Sequence, residues 1–210
     1  MKVGRAVRKR LGRFEAPISD LYRSRFIDLG ACVEMIAGHV EPRAILEIGC
    51  GDGQLAQRLL ERFPAAAYTG IDIAPEVGHL FAGDRRRAVF RSIDSRSLLQ
   101  SSPERFDLVL LVDVLHHVPG AARDGVLRDL RALTAPGGTY VVKDWVKSRS
   151  LAHAAVWASD RLLTGDRVSY FEPGELEDLM PARYPDDRRV LATTVPPHRN
   201  NVLLAYSAAA

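Results

Sequence analysis

The sequence predicts an α/β protein: a mostly parallel, seven-stranded sheet with helices on both faces and a C-terminal antiparallel hairpin. Three observations carry this. Short apolar runs alternate with helical patterns along the 210 residues, as in sheets whose strands are joined by helical crossovers. Phe106–Val112 is almost continuously apolar, as a strand buried on both faces requires. The last two apolar runs are separated by Pro196-Pro197 and no helix, a connection that cannot make a parallel crossover.

The elements follow in order. A helix is expected from Ile18 to His39, ended by Pro42, and the first strand is Ala44–Ile48. Gln54–Phe63 is amphipathic and stops at Pro64. Ala67–Ile71 is a second strand, Val89–Ser92 a short third and Phe106–Val112 the fourth. Gly120–Leu133 reads as a helix closed by Pro136-Gly137-Gly138, and Thr139–Val142 as the fifth strand. Residues 150–163 and Pro173–Met180 read as helices, and Arg189–Thr194 with Asn201–Tyr206 as the closing hairpin. The chain is expected to form one domain, with a helical N-terminal cap (1–40), a core (44–143) and a variable insertion (148–181).

Composition is that of a water-soluble globular protein, 47% hydrophobic and 26% charged. No apolar run approaches the ~18–20 residues of a membrane span, and the N-terminal cations precede no apolar stretch, so no secretory signal is expected. Cys32 and Cys50 have no metal-ligand spacing and read as reduced thiols of a cytoplasmic protein. The net charge of +3 is unevenly placed. Residues 1–13 hold six cations and no acid, which leaves 23 cations against 26 acids in the remainder. Val3, Val7, Leu11 and Phe14 fall at helical spacing there. A lid or docking helix with a solvated face is the preferred reading; contact with nucleic acid or an anionic membrane is the alternative.

The stretch Ile45-Leu46-Glu47-Ile48-Gly49-Cys50-Gly51-Asp52-Gly53-Gln54-Leu55 is the most informative. Alternate glycines let the chain turn sharply from strand to helix and let a ligand approach the backbone. A dinucleotide fingerprint needs glycine where Gln54 stands, and a P-loop needs a Gly-Lys-Ser/Thr that is absent. Glu47 and Asp52 would oppose a pyrophosphate but suit a ligand bearing a sulfonium and an ammonium. Asp72, Asp94 and Asp113 follow the second, third and fourth strands, so four strand ends each bring a carboxylate to one rim. Taken singly, each of these acids is as readily a loop or cap residue.

Residues 44–143 resemble the cofactor-binding half of the class I S-adenosylmethionine-dependent methyltransferases, particularly the small-molecule branch. The glycine loop resembles that family's first motif, Gly70-Ile71-Asp72-Ile73 its acidic second strand, and Phe106–Pro119 its fourth motif. Leu130-Arg131-Ala132-Leu133-Thr134-Ala135-Pro136-Gly137-Gly138 resembles its lead into the fifth strand. The resemblance implies a Rossmann-like sheet and S-adenosylmethionine as cofactor. It implies that Glu47, Gly49, Gly51 and Gly53 cradle the methionine moiety and that Asp72 binds the ribose hydroxyls. It places Ile93 and Asp94 at the adenine; Cys50, Ile73 and Asp113, which ends the fourth strand facing the crevice, complete the expected cofactor-binding set.

Methyl transfer needs alignment and sometimes a base. His116, His117 and Asp144 are the catalytic candidates, with one histidine expected to face the crevice and the other the fold. The competing reading packs both histidines as hydrogen-bonded strand ends. Asp144 and Asp113, at adjacent strand ends, could hold a divalent ion, but the metal-dependent catechol-type branch follows its Asp with Asn where Trp145 stands; no metal is expected. Trp145, His153, Trp157 and Tyr170, with Asp160 and Arg161, are candidate pocket residues. The short insertion favours a small acceptor such as a secondary metabolite; nucleic acid is disfavoured, and the sequence leaves a homodimer open. The alternatives are an RNA or protein methyltransferase, or a protein that keeps the fold and cofactor without transferring methyl.

Overall fold

A computed structural model describes residues 27–148 and 168–209. Helix α1 spans Leu29–Ala37, β1 Ala44–Ile48, α2 Gln54–Arg62, β2 Ala67–Asp72 and β3 Ala88–Ser92. Then come α3 (Ser95–Ser101), β4 (Phe106–Val112), α4 (Gly120–Leu133) and β5 (Thr134–Trp145). The short α5 (Glu175–Asp178), β6 (Arg188–Thr194) and β7 (Asn201–Ser207) complete the chain. One sheet has the order β3-β2-β1-β4-β5-β7-β6, parallel from β3 to β5, with β7 antiparallel to both neighbours.

Strand alternation divides the core into two layers. Ile45, Leu108, Leu110, Val141 and Leu203 pack with Val33 and Ile36 of α1 and Leu55 and Leu59 of α2. Leu46, Val109, Leu111, Val142 and Leu204 pack on the other face with Leu127, Leu130 and Leu133 of α4. Because β1 and β4 are adjacent but successive crossovers leave in opposite directions, the order reverses between them. Sheets of this kind bind ligands outside the C-terminal strand ends at such a point.

Four expectations need correction. The helix expected from Ile18 does not run unbroken to His39: Asp28 is an N-cap, accepting from the Ala31 N–H at 2.8 Å, and α1 starts at Leu29. The fifth strand is longer than expected, because Pro136-Gly137-Gly138 forms a bulge within β5 rather than a stop. Phe106 pairs with Thr134, the register then shifts, and Leu108 pairs with Thr139. A Cβ on Gly138 would lie 2.9 Å from the Ala135 carbonyl, so only glycine fits there. Helix α3 was not expected; it is short and buries only Ser95 and Leu98, too few for a periodic signal. The helix expected over Pro173–Met180 is the single turn α5. The basic segment 1–13 and the helix expected at 150–163 lie outside the described residues.

Candidate active site

The glycine loop folds tightly against β2. The Gly49 and Cys50 N–H groups both donate to the Ile71 carbonyl, at 2.7 and 3.0 Å. Gly49 has φ 80°, and a Cβ there would sit 2.3 Å from Val114 Cγ2, so both conformation and space demand glycine. Gly51 has φ 50°, but its Cβ would meet no protein atom within 4 Å. One glycine therefore makes room for a neighbouring side chain, and the other borders open space. Gly53 caps the start of α2. The Cys50 side chain packs over Gly70, and burial pushes its thiol well above the ordinary range, so Cys50 faces the site through its backbone.

Acids meet this loop from several strand ends. Glu47 is buried and accepts the Tyr68 hydroxyl at 2.5 Å; burial and that carboxylate both raise the Tyr68 pKa. Asp72 Oδ2 accepts the Gly51 N–H at 3.0 Å and Oδ1 the Ala74 N–H at 2.8 Å, which fixes the carboxylate beside the loop. Asp52 accepts the Gln54 N–H at 3.3 Å. Ile73, next to Asp72, is 82% exposed, an apolar surface left open at the rim. Ile93 is half-buried, and its N–H donates to the Asp72 carbonyl at 2.9 Å. Asp94 caps α3 through Oδ1, accepting the Ser97 N–H at 2.7 Å, and this hydrogen bond holds its carboxyl below the usual range.

The ends of β4 and β5 carry an ion pair and a histidine–carboxylate contact. Asp113, at φ 57°, is the only non-glycine residue with positive φ among those described. Its Oδ1 lies 2.6 Å from the ammonium of Lys143, which is fully buried. His116 Nδ1 lies 2.6 Å from Asp144 Oδ1, and the His116 and Trp145 N–H groups donate to the same carboxylate at 3.1 and 2.7 Å. Burial alone would raise Asp144, but the His116 imidazole and these donors hold its pKa below the usual carboxylate value. His116 is buried and His117 exposed, with ring centres 4.1 Å apart.

Tyr170 stacks on His116 at 5.3 Å, and the Ser169 N–H donates to the His116 carbonyl at 2.8 Å. Trp145 packs with Tyr170 and lies 6.1 Å from the His198 ring. Arg123 donates to the Leu115 and Val118 carbonyls on either side of the histidines, and also to the Ser169 carbonyl. His153, Trp157, Asp160 and Arg161 lie outside the described residues.

Asp113, His116 and Asp144 bring ligand-type atoms within 4.8 Å of one another. Their donor atoms are engaged, however: Asp113 holds an ammonium and Asp144 holds three N–H groups. Sequence reasoning did not single out Lys143 or Arg123. A lysine inside the apolar run of β5 was the available signal for the first; nothing in the spacing marked the second.

An acid-rimmed crevice at the strand-order reversal, floored by a glycine loop whose backbone opens outward at Gly51, defines a Rossmann-like cofactor-binding domain. The comparisons narrow this class. Residues 46–140 match the family described as a methyltransferase domain. The ubiquinone biosynthesis O-methyltransferase of Alkalilimnicola ehrlichii is 30% identical over 171 residues, 77% of this chain and 66% of that protein. The trans-aconitate 2-methyltransferase of Streptomyces avermitilis is 32% identical over 58% of this chain and 49% of its own length. The chain thus spans just under two thirds of the first relative and about half of the second. Among solved structures, the Burkholderia thailandensis 1,6-didemethyltoxoflavin-N1-methyltransferase, with its substrate and S-adenosylhomocysteine bound, shares the fold. Its TM-score is 0.65 at 19% identity, over 92% of this chain and 85% of that one. The matched methyltransferase domain, these relatives and the shared fold support a class I S-adenosylmethionine-dependent methyltransferase.

Proposed function

We propose that this protein transfers the methyl group of S-adenosylmethionine to a hydroxyl oxygen of a small aromatic metabolite, with His116 taking the acceptor's proton. The observation that carries the reading is the buried 2.6 Å contact between His116 Nδ1 and Asp144 Oδ1. The low pKa of Asp144 keeps it ionised, so Nδ1–H donates to it and Nε2 is the nitrogen through which the ring accepts a proton. Tyr170 stacks on that ring and Trp145 packs with Tyr170, so buried aromatic side chains back the histidine. The similarity to O-methyltransferases of ubiquinone biosynthesis supports transfer to oxygen.

The cofactor site is assigned residue by residue. The backbone of Gly49, Cys50, Gly51 and Gly53, with Glu47 beneath it, holds the methionine moiety. Asp72 takes the ribose hydroxyls, Ile73 and Ile93 lie against the adenine, and Asp94 meets its edge with the oxygen that does not cap α3. Asp113 borders the methionine end. When bound, the cofactor supplies an electrophilic methyl carbon on a positively charged sulfur. The protein aligns the acceptor oxygen, excludes water and moves the proton.

Transfer of labelled methyl to a panel of mono- and dihydroxybenzoates tests this. His116→Ala should lower turnover at saturating cofactor at least tenfold, and His117→Ala much less. Equal activity of wild type and His116→Ala would remove the base. Transfer to a protein or RNA fraction but to none of the panel would remove the small acceptor.

A further inference from the structure

Among the described residues, Lys143 is the one lysine or arginine in the buried set. It stands near the end of β5 that opens on the crevice, its ammonium 2.6 Å from Asp113 Oδ1 and 5.1 Å from the centre of the Trp145 ring. Its carbonyl also accepts the Asp113 N–H at 2.9 Å. One residue therefore holds Asp113 at two points, in a backbone region that side chains other than glycine avoid.

Packing alone does not explain a buried ammonium, since methionine fills a similar volume without desolvating a charge. The charges around it do. Glu47 and Asp144 are buried at neighbouring strand ends, and Asp52, Asp72 and Asp113 are half-buried there. Lys143 is the fixed cation set among these carboxylates. S-adenosylmethionine and its demethylated product, S-adenosylhomocysteine, differ by one methyl group and one positive charge at sulfur. A rim of carboxylates alone would favour the charged form strongly, and a nearby ammonium reduces that preference.

We propose that Lys143 is a specificity-determining residue for cofactor charge. Held on Asp113, its ammonium offsets the rim carboxylates and so sets how tightly the sulfonium form binds relative to the neutral thioether. The proposal rests on the reading that Asp113 borders the cofactor's methionine end.

Calorimetric titration of the full chain with S-adenosylmethionine and with S-adenosylhomocysteine at pH 8 tests it. The readout is the ratio of the two dissociation constants, thioether over sulfonium, because damage to the fold weakens both ligands alike and cancels. Lys143→Met should raise the ratio at least threefold, Asp113→Asn should lower it at least threefold, and the double variant should return to within twofold of wild type. Should Lys143→Met not fold, Asp113→Asn reads the same pair with opposite sign. Ratios unchanged in the folded variants overturn the proposal while leaving the cofactor site intact. Wild-type protein that binds neither ligand overturns the cofactor-site reading and the proposal with it.

Discussion

The carboxylate of Asp144 and the imidazole of His116 form a buried pair at 2.6 Å, and the His116 backbone N–H donates to the same carboxylate. Ring and main chain of one histidine are thus anchored on one acid. Rotation of the ring would break the side-chain contact without freeing the loop.

This anchoring has a pH signature. The pKa of Asp144 is lowered in the folded state, so the pair's stabilisation is fully present above the unfolded carboxylate value of about 3.9. It is lost as pH falls through the lower folded value. Stability contributed by this group should therefore be flat from pH 7 to 5 and decline only below about 4. Asp144→Asn should shrink that acid limb in thermal unfolding measured from pH 7 to 3, and an unchanged limb would contradict the assignment.

Asp187 anchors the far side of the sheet. It accepts from Arg131 Nε and Nη2 at 2.7 and 3.0 Å, the Tyr140 hydroxyl at 2.9 Å and the Ala209 N–H at 2.7 Å. Asp187→Ala takes the carboxylate from a largely buried guanidinium and the acceptor from the Tyr140 hydroxyl. The expected loss is about 3–5 kcal/mol, visible as a lower midpoint in denaturant. Cofactor affinity in the folded variant should stay near wild type, since the network lies away from the crevice.

Two glycines of one loop should behave differently. Gly49→Val collides with Val114 and should damage folding itself. Gly51→Val adds a Cβ that meets no protein atom within 4 Å, so its main cost is the left-handed backbone penalty, about 1–2 kcal/mol. It should fold and yet fail to bind S-adenosylmethionine. A Gly51→Val variant with wild-type affinity would show that the ligand does not lie there.

Asp72→Ala should weaken S-adenosylmethionine binding at least tenfold, because it removes a charge-assisted acceptor already oriented by the Gly51 and Ala74 N–H groups. Near-native affinity by calorimetry would contradict the ribose role.

Much of this architecture was readable because it depends on local pattern. The apolar run Phe106–Val112 became the central strand, and glycines 49, 51 and 53 all took positive φ. What the sequence hid depends on partners distant along the chain. The bulge at Pro136-Gly137-Gly138 reads locally as a stop and becomes strand only because β4 lies beside it. Asp94 carried two readings, cap and ligand, and its cap bond to Ser97 uses one oxygen of the two. Lys143 lies just beyond the expected fifth strand, Thr139–Val142, and its partner Asp113 stands 30 residues earlier.

The most direct test of the account is a double-mutant cycle on labelled methyl transfer to a hydroxybenzoate acceptor at saturating cofactor. If His116 and Asp144 act as one proton-accepting unit, His116→Ala and Asp144→Asn each lower turnover about 10²–10⁴-fold, and the double variant is no slower than the worse single one. Losses that multiply in the double variant, or turnover preserved in either single one, would contradict it.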